Sequence, residues 1–469
     1  MDDKTKTEEP VNQPISQPKK KHKVLKIVLI VIVVILMIPA LFLATVSIYH
    51  HTYSVNKGPE TITNDTGLIQ AEGRSLYDKD GNRIQLKGVN AGNTLVNEGW
   101  LGFWCDGYKT DSNGTVSYPD FNQEQLLAGL KANPNLSESQ GKELLEDYHY
   151  SWFSKSDFAI VHDTLKMNTI RLPFYWRDIL NDDYSVKSEG EAFMYLDWFI
   201  GNAKANNLYV VLDLHGCPHS QNGYEHSGLQ SEGAAFWNNT DAVNAVIRLW
   251  TTIATRYTAT LPELGKAIAS YDLINEPTST YGGSTDKTVW AVYDKIYEAI
   301  RATGDRHVIT MEGAWDFTAL PNPDDYSWAN IQYEYHWYNW YTDKLPYLLY
   351  YDYMDMKNMG RDYNVPVYIG EFTYFEDKAA WKAGMNLFDN RNYSWTIWNY
   401  KAIATGDWTT SWGVYTLKLG LSDKESDHKT KVDVSSATYD ELKAAIANCI
   451  TANCVTGTTY EMINYENSK

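Results

Sequence analysis

Residues 208–215 read Leu-Tyr-Val-Val-Leu-Asp-Leu-His, an apolar run that ends in a polar residue. Short continuous apolar runs are typical of strands that are buried on both faces, as in a parallel sheet. Seven further short segments predict strands, at 83–90, 168–173, 269–276, 308–312, 331–336, 365–371 and 395–400. Amphipathic segments predict helices in most of the gaps, at 156–165, 191–206, 241–258, 286–303 and 377–389, with a closing helix at 440–447.

This alternation predicts the fold class. Eight strands separated by helices between residues 83 and 400 favour an α/β fold, a (β/α)8 TIM barrel. A doubly wound open sheet is the alternative, but no Gly-x-Gly-x-x-Gly turn follows any predicted strand. The largest insertion, 91–155, holds Trp100, Phe103, Trp104 and Tyr108. We expect the first three of these aromatic residues to lie on the longest loop of the active face.

An apolar run of 20 residues, 27–46, lies near the start of the chain and is broken only by Pro39 and Thr45. As a helix it would be about 30 Å long, the thickness of the hydrocarbon core of a bilayer. It has no polar face, which argues against a buried core helix. Five lysines precede it closely, whereas only Lys57 follows nearby, so the positive-inside rule places the N-terminus in the cytoplasm.

These features predict a single N-terminal transmembrane helix before the barrel. The predicted parts are a cytoplasmic basic tail (1–23), a transmembrane signal anchor (24–48), an extracellular tether (49–75) and the (β/α)8 barrel domain (76–469). The predicted location is the cell membrane, with the barrel outside the cell. A cleavable secretory signal is the alternative, but its apolar region usually spans roughly 7–15 residues, and Ala44-Thr45-Val46 is a poor cleavage site.

Composition narrows the classes of partner. The formal net charge of −18 argues against a nucleic-acid partner, which requires a basic face. Aromatic residues make up 14 % of the chain, enough for a large core and for surfaces that stack on sugar rings. Four cysteines exclude a disulfide scaffold. Pairing of Cys449 with Cys454 stays open, as does the pairing of Cys105 and Cys217.

Polar and aromatic residues follow or end most of the predicted strands. In a TIM barrel, the carboxyl ends of the strands form the active face. The residues at these ends are Arg171, His215, Asn275, Glu276, His336, Tyr338, Glu371 and Trp398. Two glutamates facing each other across the barrel mouth suit glycoside hydrolysis, in which one protonates the leaving oxygen and the other attacks the anomeric carbon or activates water. We expect the ionised glutamate to raise the pKa of the proton donor by like-charge repulsion.

Other strand-end residues have supporting roles in this interpretation. Arg171 is expected to keep the nucleophile ionised, Tyr338 to donate a hydrogen bond to it, and Trp398 to form the floor of the sugar subsite. A structural role is an equally open alternative for Arg171, His215 and His336.

No metal site is predicted. His215 and His219 have the spacing of a ligand pair, but Pro218 lies between them, so they do not share one helix face.

Six motifs resemble, in order, those of glycoside hydrolase family 5 of clan A. They are Ile-Arg-Leu-Pro (170–173), Asp-Leu-His-Gly (213–216), Leu-Ile-Asn-Glu-Pro (273–277), His-Trp-Tyr (336–338), Tyr-Ile-Gly-Glu-Phe (368–372) and Ile-Trp-Asn-Tyr-Lys (397–401). The resemblance covers about residues 76–420. It implies a retaining enzyme with Glu276 as acid/base, Glu371 as nucleophile and Asn275 at the sugar 2-hydroxyl, and it implies neither a metal nor an organic cofactor.

A narrower resemblance links residues 213–228, 86–90 and 152–158 to the exo-β-1,3-glucanase branch of the family. Two features depart from that branch: Phe-Thr follows Glu371 where Trp-Ser is common, and the first-strand loop (91–100) lacks its Gly-Gly-Trp-Leu. The predicted function is therefore a membrane-anchored, extracellular, retaining β-glycosidase that acts on an oligo- or polysaccharide glucan, with exo-β-1,3-glucanase as the narrower form. The alternatives are an endo-β-1,4-glucanase, a mannanase or a glycolipid glycosidase on the same barrel, and a non-catalytic carbohydrate-binding surface protein.

Overall fold

The computed structural model describes residues 20–52, 56–107, 109–110, 116–117, 120–230, 232–338, 355, 357–358, 361, 363–403, 412–417 and 431–467. Tyr108 lies outside these ranges. The chain divides into two compact units, Met1–Ser54 and Val55–Lys469.

The first unit contains one long helix, Lys20–Thr52. Its segment Leu25–Phe42 has a mean hydropathy of 3.1, and no part of that segment is buried inside the protein. Within the described ranges it is the one helix that is long and apolar enough to cross a membrane. A signal sequence near the N-terminus can also contain such an apolar helix, so the helix is compatible with both sequence interpretations.

The second unit is built on a closed barrel of eight parallel strands, which confirms the predicted TIM barrel and excludes the open sheet. The strands are numbered in chain order as β1 (Lys87–Asn90), β2 (Thr169–Tyr175), β3 (Tyr209–Gly216), β4 (Ile268–Asp272), β5 (Val308–Glu312), β6 (Ile331–Tyr338), β7 (Val367–Thr373) and β8 (Ser394–Ile397). Each strand pairs with its neighbour in the sequence, and β8 pairs with β1 to close the barrel.

Apolar side chains from the strands and the surrounding helices form the main core. Leu196, Phe199, Val246, Trp250 and Ile296, all on helices, belong to one buried cluster together with residues of the barrel strands. All seven residues of β2 are buried, as expected for a parallel strand that is covered on both faces. The longer helices among the described residues are Gln123–Ala132, Glu138–Trp152, Met194–Ala205, Thr240–Thr255, Lys287–Ala302, Lys378–Arg391, Tyr439–Asn448 and Thr458–Asn467.

Part of the segment predicted as a tether is folded. The strands Gln70–Glu72, Ser75–Tyr77 and Arg83–Ile84 form a small antiparallel sheet. Ile69 and Leu76 are buried in a cluster with Leu86, Val211, Ala269, Val308 and Tyr368 of the barrel region. The sequence pattern missed this sheet because its few apolar residues are isolated among polar ones.

The first insertion packs against the C-terminal part of the chain. Phe103 and Trp104 are buried in a cluster with Tyr148, Leu442 and Ile446. Phe103 and Trp104 are therefore part of a core and do not line the cavity at the active face. The predicted closing helix is present as Tyr439–Asn448 and contributes to this same cluster.

Candidate active site

The carboxyl ends of the barrel strands surround a cavity of about 490 Å³. Six of the eight predicted site residues line it, namely His215, Asn275, Glu276, Tyr338, Glu371 and Trp398. The other two, Arg171 and His336, are buried next to it and contact the glutamates. Parallel strands bring their carboxyl ends to one face of the barrel, and this places residues 200 positions apart within hydrogen-bonding distance.

Glu276 and Glu371 lie close together at the centre of the site. A carboxylate oxygen of each lies within 4.8 Å of the other, with a ring nitrogen of His336 within the same distance of both. Nδ1 of His336 is 2.8 Å from Oε1 of Glu276 and 3.4 Å from Oε2 of Glu371. The two glutamates are 6 % and 4 % exposed, so their charges act in a poorly solvated environment.

Glu276 follows β4 in a left-handed backbone conformation with φ of 41°. Its backbone N–H donates a hydrogen bond of 2.6 Å to Oε2 of Glu312, at the end of β5. Its side chain contacts Nε2 of His226 at 2.8 Å through Oε2, and His336 through Oε1. The loop geometry and three neighbouring side chains therefore hold both the backbone and the carboxylate of Glu276.

The pKa of Glu276 differs from the expectation. Burial raises it, but the charge and hydrogen bond of His226, followed by those of His336, lower the pKa of Glu276 well below its usual value. Like-charge repulsion from Glu371 is outweighed because two imidazoles face the Glu276 carboxylate. The expected raised pKa of Glu276 is therefore wrong for this structure.

Glu371, in β7, accepts hydrogen bonds on both carboxylate oxygens. Nη1 of Arg171 donates to Oε1 at 2.9 Å, and the hydroxyl of Tyr338 donates to Oε2 at 2.5 Å. Burial and the negative charge of Glu371 raise the pKa of Tyr338 well above its usual value, so the phenol keeps its proton as a donor. These contacts fix the position of both carboxylate oxygens of Glu371.

Arg171 is fully buried below the cavity and contacts several acidic groups. Its guanidinium donates to Oδ2 of Asp272 at 2.8 and 3.0 Å, and it lies 3.1 Å from Oδ2 of Asp213 and 3.4 Å from Oε1 of Glu334. It also donates to Oδ1 of Asn275 at 2.8 Å. That bond fixes the amide of Asn275 with its nitrogen left without a hydrogen-bond partner in the structure.

His215 and Trp398 form one wall of the cavity. Their rings are parallel, with an interplanar angle of 4° and centroids 5.5 Å apart. Nδ1 of His215 lies 2.7 Å from Oδ2 of Asp213. Burial lowers the pKa of His215, but the charge of Asp213 and the hydrogen bonds to Asp213 and Glu98 raise it to about 10.

The structure adds residues that the sequence interpretation had not placed in the site. The cavity wall also includes Glu98, Trp100, Asp120, Tyr224, Glu225, His226, Trp315 and Trp412. Of these, Trp100 was expected on the active face and is found there. A signal for Glu98 was present, since its loop is the one that departs from the exo-β-1,3-glucanase pattern. His226 was visible only as one of three histidines in the third-strand loop.

A group of buried carboxyl groups below the cavity was also missed. Glu312, Glu334 and Asp272 are fully buried. Burial raises the pKa of Glu312 and Glu334 well above the usual value, and it raises the pKa of Asp272 to about 6 even though Arg171 opposes this. Glu312 ends β5, so the same strand-end rule that found Glu276 and Glu371 would have found it.

Two sets of three buried side chains, among the ranges given above, bring metal-ligating atoms within 4.8 Å of one another. They are Glu276, His336 and Glu371, and Glu312, Glu334 and His336. In the first set, Arg171, Tyr338 and His226 already contact carboxylate oxygens, so hydrogen bonds and ion pairs account for this grouping without an ion. The absence of a catalytic metal stays a prediction.

All four cysteines lie in the described ranges and carry free thiols. The Cys449–Cys454 pairing that their spacing left open is therefore not formed in this structure, and neither is a pairing of Cys105 with Cys217.

The sequence of the chain is similar to those of known proteins. The model of the family described as cellulase (glycosyl hydrolase family 5) matches residues 136–403. A β-xylosidase from Phanerodontia chrysosporium is 30 % identical over 274 residues, which cover 58 % of this chain and 52 % of the relative. A probable glucan 1,3-β-glucosidase A from Neosartorya fischeri is 29 % identical over 242 residues, covering 51 % of this chain and 52 % of the relative. The chain thus spans about half the length of the curated relatives it matches.

Solved structures share the barrel. The rutinosidase from Aspergillus niger matches with a TM-score of 0.52 and 17 % identity, covering 68 % of this chain and 90 % of that one. An endogalactoceramidase matches with a TM-score of 0.50 and 15 % identity, covering 72 % of this chain and 75 % of that one. At such identities, the likeness shows the fold alone.

Proposed function

Since this chain belongs to glycoside hydrolase family 5, a family of O-glycosyl hydrolases, we propose that it hydrolyses a β-glucosidic bond of a glycan with retention of configuration. The observation that carries the proposal is the pair of buried glutamates, Glu276 and Glu371, with oxygens within 4.8 Å of each other at the carboxyl ends of β4 and β7. Retaining glycosidases hold their two carboxyl groups about 5–5.5 Å apart, whereas inverting enzymes leave about 6.5–9.5 Å for a water molecule.

In the proposed mechanism, Glu371 is the nucleophile. Arg171 and Tyr338 donate hydrogen bonds to its carboxylate and orient its oxygens, so that one of these oxygens attacks the anomeric carbon. Glu276 donates a proton to the glycosidic oxygen as the bond to the leaving group breaks. Glu276 then takes a proton from a water molecule that attacks the anomeric carbon, which releases the sugar and regenerates Glu371.

Binding of the sugar is supported by the other residues of the cavity. Asn275 lines the cavity and its amide nitrogen has no hydrogen-bond partner among the described residues, so we propose that it donates to the 2-hydroxyl once a sugar is bound; the ring of Trp398 forms a flat wall beside the glutamates. Tyr338, Trp100, Trp412 and Phe375 pack with Trp398 in one aromatic cluster. His215 and His336 are proposed to bind or orient the substrate from the third and sixth strands.

The proposed substrate is a β-glucan, with exo-β-1,3-glucanase as the narrower form. This rests on the name of the Neosartorya fischeri relative and on the third-strand loop that resembles the exo-β-1,3-glucanase branch. A β-xyloside is the second candidate substrate, because the relative from Phanerodontia chrysosporium is named a β-xylosidase.

We also propose that the helix Lys20–Thr52 anchors the enzyme, with the barrel outside the cell and residues 1–23 in the cytoplasm.

The test is a substrate panel with matched variants. Full-length protein in detergent is incubated with laminarin, lichenan, cellulose, mannan, glucosyl lipids and aryl xylosides, and products are followed over time. Release of monosaccharide alone indicates exo action, and long products indicate endo action. The anomer formed first, observed by NMR, reports retention or inversion.

Glu276→Gln and Glu371→Gln are expected to lose nearly all turnover while the fold persists. Glu138→Gln, on an exposed helix end, is the matched control and is expected to behave as the parent. Undiminished hydrolysis by Glu371→Gln would remove Glu371 as the nucleophile, and an inverted first product would remove the retaining mechanism.

A further inference from the structure

Each carboxylate oxygen of Glu276 contacts a different histidine. Oε1 is 2.8 Å from Nδ1 of His336, and Oε2 is 2.8 Å from Nε2 of His226. The two histidines differ in their access to solvent, because the His336 side chain is fully buried, whereas the His226 side chain is 19 % exposed and lines the cavity. Only His226 can therefore exchange a proton with the water of the cavity.

We propose that His226 stores the proton that Glu276 delivers to the leaving group, so that these two side chains form one proton-carrying pair. The proposal rests on the function proposed above, in which Glu276 is the acid/base. Because His226 acts through Glu276, it is a positioning residue, and its effect is on the protonation of the acid/base.

The surroundings of His226 favour movement of its proton to Glu276. When Nε2 of His226 carries the proton, it donates to Glu276. Nδ2 of Asn222 lies 2.9 Å from the same ring nitrogen, so two donors face each other while Nε2 is protonated, whereas the amide can donate to Nε2 after the proton has moved to Glu276. The amide is held in this orientation because its Nδ2 also donates to the backbone carbonyl of Glu276 at 3.1 Å and its Oδ1 accepts from the backbone N–H of Tyr224 at 2.9 Å.

The charges around the pair place the resting proton on His226. Glu276, Glu98 and Glu225 face His226, the ring of His215 lies 6.4 Å away, and the ring of Tyr224 stacks on it at 5.5 Å. Burial lowers the pKa of His226, but these carboxylates, with Glu276 first, raise it to about 9.

Glu276 is surrounded by His336, Glu371 and Glu312 as well as His226. The two histidines lower its pKa, so at neutral pH the pair holds one shared proton, on the imidazole.

The proposed proton path balances over one turnover. The proton moves from Nε2 of His226 to Oε2 of Glu276, and Glu276 then passes it to the glycosidic oxygen as Glu371 bonds to the anomeric carbon. In the second step, Glu276 takes a proton from the attacking water and returns it to His226, while the bond between Glu371 and the sugar breaks. One water molecule is consumed, and all three residues return to their starting state.

This arrangement has a consequence for pH dependence. Glu276 can act as an acid as long as the pair of His226 and Glu276 holds one proton. The pKa at which the pair loses that proton therefore sets the basic limb of the pH profile of kcat/KM. In His226→Gln, the amide still donates a hydrogen bond but has no proton that dissociates between about pH 4 and pH 10, so Glu276 must hold the proton itself. The basic limb is then expected to move to lower pH by about one unit or more.

The first experiment measures kcat/KM from roughly pH 4 to pH 10 for the full-length protein, His226→Gln and His219→Gln in detergent. His219 is the control because it lies in the same loop, contacts Glu232 and Tyr184, and does not line the cavity. The basic limb should shift in His226→Gln alone. A uniform loss of activity with an unmoved limb would show that His226 has a structural role only, and would overturn the proposal.

The second experiment does not depend on catalysis. Hydrogen–deuterium exchange at the imidazole Cε1, followed by mass spectrometry, reports the pKa of single histidines, and cleavage after Tyr224 isolates a peptide in which His226 is the first histidine. The pKa of His226 should be near 9 in the parent and should fall by about one unit or more in Glu276→Gln, because its largest stabilising charge is removed. If His226 has an ordinary pKa and Glu276→Gln leaves that pKa unchanged, the proposed pair is overturned. If the pKa of His226 is raised but no substrate is hydrolysed, the result supports the pair and rejects the proposed function.

Discussion

Replacement of Arg171 by methionine tests the electrostatics of the barrel interior. The side chain is fully buried and contacts Asp272, Asp213, Glu371 and Glu334 at 2.8–3.4 Å. Methionine fills a similar volume but removes the positive charge shared by these carboxyl groups. We therefore expect Arg171→Met to be strongly destabilising, and more so at neutral than at acidic pH.

The magnitude follows from the burial of the group. Removing one partner of a buried ion pair costs about 3–5 kcal/mol, because the remaining charge is left uncompensated in a poorly solvated interior. Domains are typically stable by about 5–15 kcal/mol, so this loss is a large fraction of the total. The matched control is Arg177→Met, since Arg177 pairs with Glu124 and Asp182 near the surface, where an ion pair contributes about 0–1 kcal/mol.

The pH dependence follows from the same contacts. Burial raises the pKa of Asp272 to about 6 and that of Glu334 well above its usual value, and Arg171 opposes both shifts. Without Arg171, these folded-state pKa values rise further, so the folded variant binds more protons than the unfolded chain above about pH 4. A group whose pKa is raised in the folded state contributes less to the stability of the protein as the pH increases. The loss of unfolding free energy in Arg171→Met must therefore grow between about pH 4.5 and pH 7.

The assay is guanidinium unfolding of the full-length protein, followed by tryptophan fluorescence at both pH values. The expected result is a lower midpoint for Arg171→Met than for Arg177→Met, with a smaller difference at the acidic pH. If Arg171→Met lowers the unfolding free energy by less than about 1 kcal/mol at pH 7, or by the same amount at pH 4.5 and pH 7, the reasoning is refuted. If Arg171→Met does not fold at pH 7, the expected result is that the fluorescence of the folded protein returns at pH 4.5, and its failure to return would contradict the expected pH dependence.

Three further predictions follow from single contacts. Tyr338→Phe removes the 2.5 Å hydrogen bond to Glu371, worth about 1.5–3 kcal/mol, so kcat/KM should fall roughly tenfold to a hundredfold and the melting temperature should fall slightly while the fold is retained; equal activity would contradict this role. Deletion of residues 1–48 should leave an active enzyme that is soluble without detergent, and loss of folding would show instead that this segment is structural. Gly88→Ala would place a Cβ 2.0 Å from the carbonyl oxygen of Thr169, so the melting temperature should fall measurably, and an unchanged one would show that β1 and β2 can separate freely.

Much of the barrel could be predicted because its signals are local. Parallel strands covered on both faces require continuous apolar runs, and residues 208–215 show such a run in the sequence itself. Glu276 and Glu371 could be assigned to one face for the same reason, since every parallel strand of a barrel ends there. The antiparallel sheet that begins at Gln70 was missed, because its strands are only two or three residues long and are stabilised by contacts with the barrel.

The sequence by itself therefore determined the barrel, the order of its strands and the residues at their carboxyl ends, because these depend on side-chain patterns that repeat over a few residues. Only the tertiary structure decided that Phe103 and Trp104 belong to a core, and that His226 lies against Glu276. Those contacts join segments that are distant in the chain. The low pKa of Glu276 has the same origin, since the balance between burial and two facing imidazoles exists only after the loops have folded onto the barrel.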